Sequence, residues 1–177
     1  VKPEMGKVTV SNPNPTVAWG AMYWQYFEQL DRITPAQTPL SLSKKLFREV
    51  NTSTGPVIEP ITENTSIKVG DKIVVRVELR TDRDMEYVHL KDMRAAAFEP
   101  VDVISGYRYQ DGLGYYQSTR DASTNFFISW LAKGTYVFEY KLVASQKGEF
   151  ANGITSVQCM YAPEFAAHSE GIRVTVR

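Results

Sequence analysis

An all-β fold, an antiparallel sandwich with little helix, is what this sequence predicts. Three observations carry that expectation: apolar residues recur at every second position, turn residues separate the alternating runs, and helical periodicity is sparse. In Lys72 to Arg80, Ile73, Val75, Val77 and Leu79 point one way while Lys72, Arg76, Glu78 and Arg80 point the other, Val74 being the exception. Tyr136, Phe138, Tyr140 and Leu142 alternate with Thr135, Glu139 and Lys141, and Ile172, Val174 and Val176 alternate with Arg173, Thr175 and Arg177. A strand sends successive side chains to opposite faces, so these runs read as half-buried antiparallel strands. Val69-Gly70-Asp71, Ala132-Lys133-Gly134, Lys147-Gly148 and Asn152-Gly153 supply the turns.

Further strands are expected near Lys7–Ser11, Val17–Phe27, Leu42–Val50, Tyr87–Met93, Val101–Tyr107, Thr124–Leu131 and Ile154–Met160. Helix is sparse, and a short turn is expected between Asp92 and Phe98, where Met93, Ala95, Ala96 and Ala97 permit it. Many short strands in 177 residues suit one sandwich-sized domain. The division expected is a stiff lead-in over 1–15, containing Asn12-Pro13-Asn14-Pro15, and a single domain over 16–177. The segment Val17–Phe27 is apolar on both faces: Trp19, Ala21, Tyr23 and Phe27 on one, Ala18, Met22, Trp24 and Tyr26 on the other. Such a strand is either central and covered on both sides or has a face that docks on a neighbour.

Charge narrows the function classes. Twenty Lys and Arg balance twenty Asp and Glu, which leaves no electrostatic footprint for nucleic acid or an anionic membrane. No apolar run approaches the ~18 residues that span a bilayer. The start, Val1-Lys2-Pro3-Glu4, carries no initiator Met and no apolar leader, so the chain reads as a piece of a longer one with its targeting signals upstream. A single cysteine, Cys159, forms no internal disulfide.

Chemical motifs are few. His89 and His168 are the only histidines, and neither has a second ligand at metal spacing, so no metal site and no cofactor is expected. His89 reads as a structural or surface residue within the charged strand of Glu86, Lys91 and Asp92. Cys159 with His168 permits a thiol hydrolase, against the plainer reading of a small buried side chain. Asp111-Gly112-Leu113-Gly114 lacks the third glycine and the helix of a dinucleotide site; with Tyr107, Tyr109, Tyr115 and Tyr116 around it, it reads as a flexible aromatic-flanked loop able to pack on a neighbour. Aromatics on a sandwich also permit a carbohydrate-binding module. Asn51-Thr52-Ser53 and Asn64-Thr65-Ser66 match glycosylation acceptors and read as polar loops in a bacterial setting.

Four strings together resemble one family. They are Trp19-Gly20-Ala21-Met22-Tyr23-Trp24-Gln25-Tyr26-Phe27-Glu28, Arg83-Asp84-Met85-Glu86-Tyr87-Val88-His89-Leu90-Lys91-Asp92, Tyr109-Gln110-Asp111-Gly112-Leu113-Gly114-Tyr115-Tyr116 and Cys159-Met160-Tyr161-Ala162-Pro163-Glu164-Phe165. The chain is similar, from about Thr16 to Arg177, to the C-terminal macroglobulin-type domain of bacterial alpha-2-macroglobulin-like proteins, in their Bacteroidetes-type branch.

The resemblance implies a non-enzymatic β-sandwich in a large secreted, periplasmic or outer-membrane-anchored protease trap. A bait region is cleaved, the trap changes conformation, and in many members an internal thioester captures the protease. The implied partners are the neighbouring thioester and macroglobulin domains of the same chain, with target proteases met only by the intact parent. It implies that Tyr161, in Met160-Tyr161-Ala162-Pro163, shields the thioester from water as a lock rather than a catalyst. Pro163 restricts Ala162 to extended backbone and so helps fix that loop. The thioester motif Cys-Gly-Glu-Gln does not occur here, so Cys159 is not the thioester cysteine. Trp19, Trp24, Tyr115 and Tyr116 are the candidate contact residues, on the aromatic strand and the glycine loop.

Overall fold

The computed structural model describes residues 6–20, 22, 23, 25–62 and 65–177. Thirteen strands follow one another among them: β1 (Leu40–Thr52), β2 (Gly55–Pro60), β3 (Lys72–Thr81), β4 (Met85–Met93), β5 (Phe98–Pro100), β6 (Gly106–Gln110), β7 (Leu113–Thr119), β8 (Ser123–Leu131), β9 (Gly134–Ala144), β10 (Gly148–Ala151), β11 (Thr155–Cys159), β12 (Ala162–His168) and β13 (Arg173–Val176). A five-stranded sheet in the order β2-β1-β3-β9-β5 faces a six-stranded sheet in the order β12-β11-β4-β8-β7-β6, and β10 with β13 forms a small third ladder. Every paired strand is antiparallel, as the alternation predicts.

The inward positions are those that the period-two pattern selects. Ile73, Val75, Val77 and Leu79 of β3 and Phe138 and Leu142 of β9 are buried. They meet Val88 and Leu90 of β4 and Phe126 and Ile128 of β8 from the opposite sheet in one core. Phe126 lies 4.9 Å from Phe138 across the two layers, and the Tyr115 ring packs on both, at 5.8 Å and 5.3 Å between centroids. These tilted aromatic contacts add about 0.5–1.5 kcal/mol per pair beyond the area they bury.

Two charged side chains share this interior. Lys44 follows Leu40 and Leu42 on the inward face of β1, and Asp92 follows Val88 and Leu90 on that of β4. Both side chains are fully buried, and Lys44 Nζ lies 2.6 Å from Asp92 Oδ1. The ammonium also donates to the Met93 carbonyl at 2.6 Å. Thr155 Oγ1 donates to Asp92 Oδ1 at 2.6 Å, and the Tyr140 hydroxyl donates to Asp92 Oδ2. One carboxylate thus ties β1 and β9 of one sheet to β4 and β11 of the other. Burial, then the charge of Asp92 beside it, pushes the Tyr140 phenol well above its ordinary 10.0. A raised folded-state pKa stabilises the fold fully below the unfolded value, and that contribution is lost as pH climbs above it. Urea midpoints of the native protein should therefore fall faster between pH 9 and roughly pH 11 than those of Tyr140→Phe. Parallel declines would contradict that assignment.

The expected strands and the observed ones differ in instructive places. Lys7–Ser11 and Val17–Phe27 form no strand among the described residues; Trp19, Tyr23 and Phe27 are 94%, 84% and 107% exposed. Strand propensity needs an open sheet edge to pair with, and this segment joins the sheets only further on, through the isolated bridge of Ala36 to His168. The segment that follows Phe27 is held beside that bridge by a Gly171 N–H to Ile33 carbonyl bond and by Asp31 Oδ2 against Arg173 Nη1 at 2.7 Å. Val101–Tyr107 is mostly loop, the strand starting at Gly106. Asp92–Phe98 carries the expected short turn, closed by Phe98 N–H to the Ala95 carbonyl where the chain passes from β4 of one sheet to β5 of the other. The Asp111-Gly112 segment is a two-residue hairpin turn rather than a flexible loop. Both residues take positive φ, 51° and 82°, and Gln110 pairs with Leu113. Asp-Gly is the dipeptide that such a primed turn favours.

Candidate functional site

Among the described residues, Cys159 and His168 do not converge. The Cys159 thiol is buried and donates to the Glu86 carbonyl at 3.1 Å. His168 sits near the far end of the β11–β12 hairpin, opposite Ser156, with Nδ1 facing the Ser169 carbonyl at 3.1 Å. Thiol and imidazole therefore share no hydrogen bond, which a thiol hydrolase requires. No group of three or more His, Cys, Asp or Glu fit to hold a metal occurs among the described residues. A 660 Å³ cleft beside the bridge of Ala36 to His168 is lined by Tyr26, Phe27, Glu28, Arg32, Thr34 and His168, and Cys159 is not among its lining residues.

What the fold presents is a projecting aromatic corner. The tight turn between β11 and β12 carries Met160, 58% exposed, and Tyr161, 80% exposed. Register shifts between Gln158 and Cys159, a bulge that swings the turn outward. Beneath it, β4 carries its own irregularity. Glu86 pairs with Trp130 and Val88 with Ile128, while Tyr87 between them takes φ 53°. A side chain with a Cβ in that left-handed region costs about 1–2 kcal/mol. The Tyr87 carbonyl accepts the Met160 N–H at 2.9 Å, and the Tyr87 ring meets the Tyr161 ring edge to face, 5.1 Å apart at 87°.

From this corner an aromatic row crosses the outer face of the six-stranded sheet. Register aligns Gln158, His89, Phe127, Tyr116 and Tyr107 on five successive strands. His89 stacks on Phe127 at 4.6 Å with a 3° tilt, its Nε2 3.0 Å from Asn125 Oδ1. Tyr107, 86% exposed, stands edge-on to Tyr116 at 5.1 Å. Trp130 extends the exposed apolar surface on the same sheet.

The candidate residues therefore separate. Tyr116 belongs to this outer face, half-buried. Tyr115, on the other face of β7, is a core residue and not part of an accessible contact surface; burial pushes its phenol up. Trp19 is exposed on the segment before β1, outside any strand. Trp24 lies outside the described residues. Tyr87, Phe127 and Trp130 were not singled out by the sequence reading. The signal for them was present: Tyr87 interrupts a strand between two alternation phases, and Phe127 follows the inward Phe126, so one ring of that pair had to face outward.

The described residues form a two-layer antiparallel sandwich with an exposed aromatic corner, the architecture of a macroglobulin-type domain. Residues 40–164 match the family described as the bacterial alpha-2-macroglobulin MG10 domain, and the chain belongs to that family.

Solved structures agree on the fold. A tyrosine-to-glycine mutant of Salmonella alpha-2-macroglobulin superposes with a TM-score of 0.63 at 17% identity, covering 82% of this chain and 10% of that one. Escherichia coli alpha-2-macroglobulin activated by porcine elastase gives 0.66 at 16%, covering 82% and 14%. Among curated sequences, circularly permutated Ras protein 2 of Dictyostelium discoideum is 27% identical over 110 residues, which is 62% of this chain and 3% of the relative. The chain thus spans a small fraction of each protein it matches.

Proposed function

We propose that this domain is a non-catalytic shield in an extracytoplasmic alpha-2-macroglobulin-like protease trap, packing on the thioester domain of its parent and keeping water from the thioester. Residues 16–177 act as one unit in this reading, with 1–15 as lead-in. The observation that carries it is the Tyr161 corner. An aromatic ring 80% exposed on a braced turn is a plug in search of a cover, since large side chains exposed in a patch mark contact sites. Hydrolysis adds water to the thioester carbonyl and breaks the C–S bond, leaving a carboxylate and a free thiol. A ring laid over the carbonyl blocks that attack, and its hydroxyl supplies a hydrogen bond at the seal. Two solved relatives bear on this use: one is the tyrosine-to-glycine mutant, and another is the Salmonella protein reacted with methylamine, an amine that opens thioesters.

The carbohydrate-module reading needs a flat stacking floor. Tyr107 and Tyr116 stand at 73° and Tyr87 and Tyr161 at 87°, so neither pair offers one. The contact is tested by placing p-benzoylphenylalanine at Met160 in the intact parent. Illumination should join this turn to a peptide of the neighbouring thioester domain, and bait cleavage should abolish the product. Cross-linking that is absent before cleavage, or unchanged after it, would remove the docking assignment.

A further inference from the structure

We infer that Tyr87 is a positioning residue for Tyr161: its left-handed backbone and its ring together build the seat that holds the shielding side chain out from the sheet. The inference rests on the shield reading of Tyr161 and assigns to a second residue a role that the sequence motif does not contain.

Three observations converge on Tyr87. It takes φ 53° in the middle of β4, where its neighbours Glu86 and Val88 keep regular antiparallel partners. A tyrosine persists in that conformation only where the surroundings impose it, and such outliers gather at functional sites. Its carbonyl receives the Met160 N–H at 2.9 Å, and the preceding carbonyl, of Glu86, receives the Cys159 thiol at 3.1 Å. Two consecutive carbonyls of β4 thus hold two consecutive residues of the turn immediately before Tyr161. Its ring, itself 49% exposed, then meets the Tyr161 ring edge to face. Without that ring Tyr161 would have only solvent on this side and could fold down against the sheet.

Backbone and ring can be separated by substitution. Glycine adopts positive φ without strain, so Tyr87→Gly keeps the carbonyl in place and removes the ring alone. Tyr87→Phe keeps both. The experiment uses the full-length parent and follows spontaneous thiol release with a thiol-reactive chromophore, beside Tm for each variant. Tyr87→Phe should release thiol at the native rate, and Tyr87→Gly about fivefold faster or more with little change in Tm. Tyr87→Gly combined with Tyr161→Gly should be no faster than Tyr161→Gly alone, because one residue acts through the other. A native rate for Tyr87→Gly beside an accelerated Tyr161→Gly, or multiplicative effects in the double variant, would overturn the positioning role and leave the shield standing. A native rate for Tyr161→Gly would overturn both.

Discussion

Asp92→Ala should destabilise the domain by about 3–5 kcal/mol, because it strips the counter-charge from a fully buried ammonium. In a chain of this length that is a fall in Tm of roughly 10–15 °C. Three donors converge on this carboxylate: Lys44 Nζ, Thr155 Oγ1 and the Tyr140 hydroxyl. Its removal leaves all three in an apolar interior. Water cannot replace the lost acceptor, since the Lys44 and Asp92 side chains are both fully enclosed. Replacing the pair together is a different matter. Lys44→Met with Asp92→Leu, Tyr140→Phe and Thr155→Val removes the charges as well as their side-chain partners, and should recover stability to within about 1–2 kcal/mol of native. Thermal melts of the two variants decide the point. Asp92→Ala melting within about 2 °C of native would show that the pair does not hold the sheets as described.

That pair also marks where sequence reading reached and where it stopped. Alternation identified the strands now seen as β3, β9 and β13 and their inward residues, because a half-buried antiparallel strand writes its burial into every second position. The same rule, followed through Leu40, Leu42, Lys44 and Leu46, places a lysine inside. Through Val88, Leu90 and Asp92 it places an aspartate inside. Read singly, each charge looks like a solvated side chain. Only the register, which sets β1 and β4 face to face in opposite sheets, brings them together.

The expected aromatic strand failed for the converse reason. Val17–Phe27 has the composition of a central strand, but a strand needs a partner, and its described residues pair with none of the sheets' edge strands. The expected flexible loop at Asp111-Gly112 became a rigid hairpin turn because its two residues favour positive φ. Tyr161 was reached through the family resemblance rather than through its surroundings. Its support, Tyr87, was legible only as a break between two alternation phases of one strand, and the left-handed backbone at that break was not.

The central claim is that this domain covers a reactive group it does not itself contain. Tyr161→Gly in the intact parent tests it most directly. Burying a side chain of this size contributes about 1.5–3 kcal/mol to a closed contact. Hydrolysis through transient opening follows the open population, so removing that contribution should raise the rate of spontaneous thiol release about tenfold or more. Tyr161→Phe keeps the ring and should lie much nearer the native rate. Methylamine should likewise release thiol faster from the glycine variant, while Tm stays close to native because the ring is exposed within the domain itself. Thiol release at the native rate from Tyr161→Gly, or a parent from which methylamine releases no thiol at all, would contradict the claim.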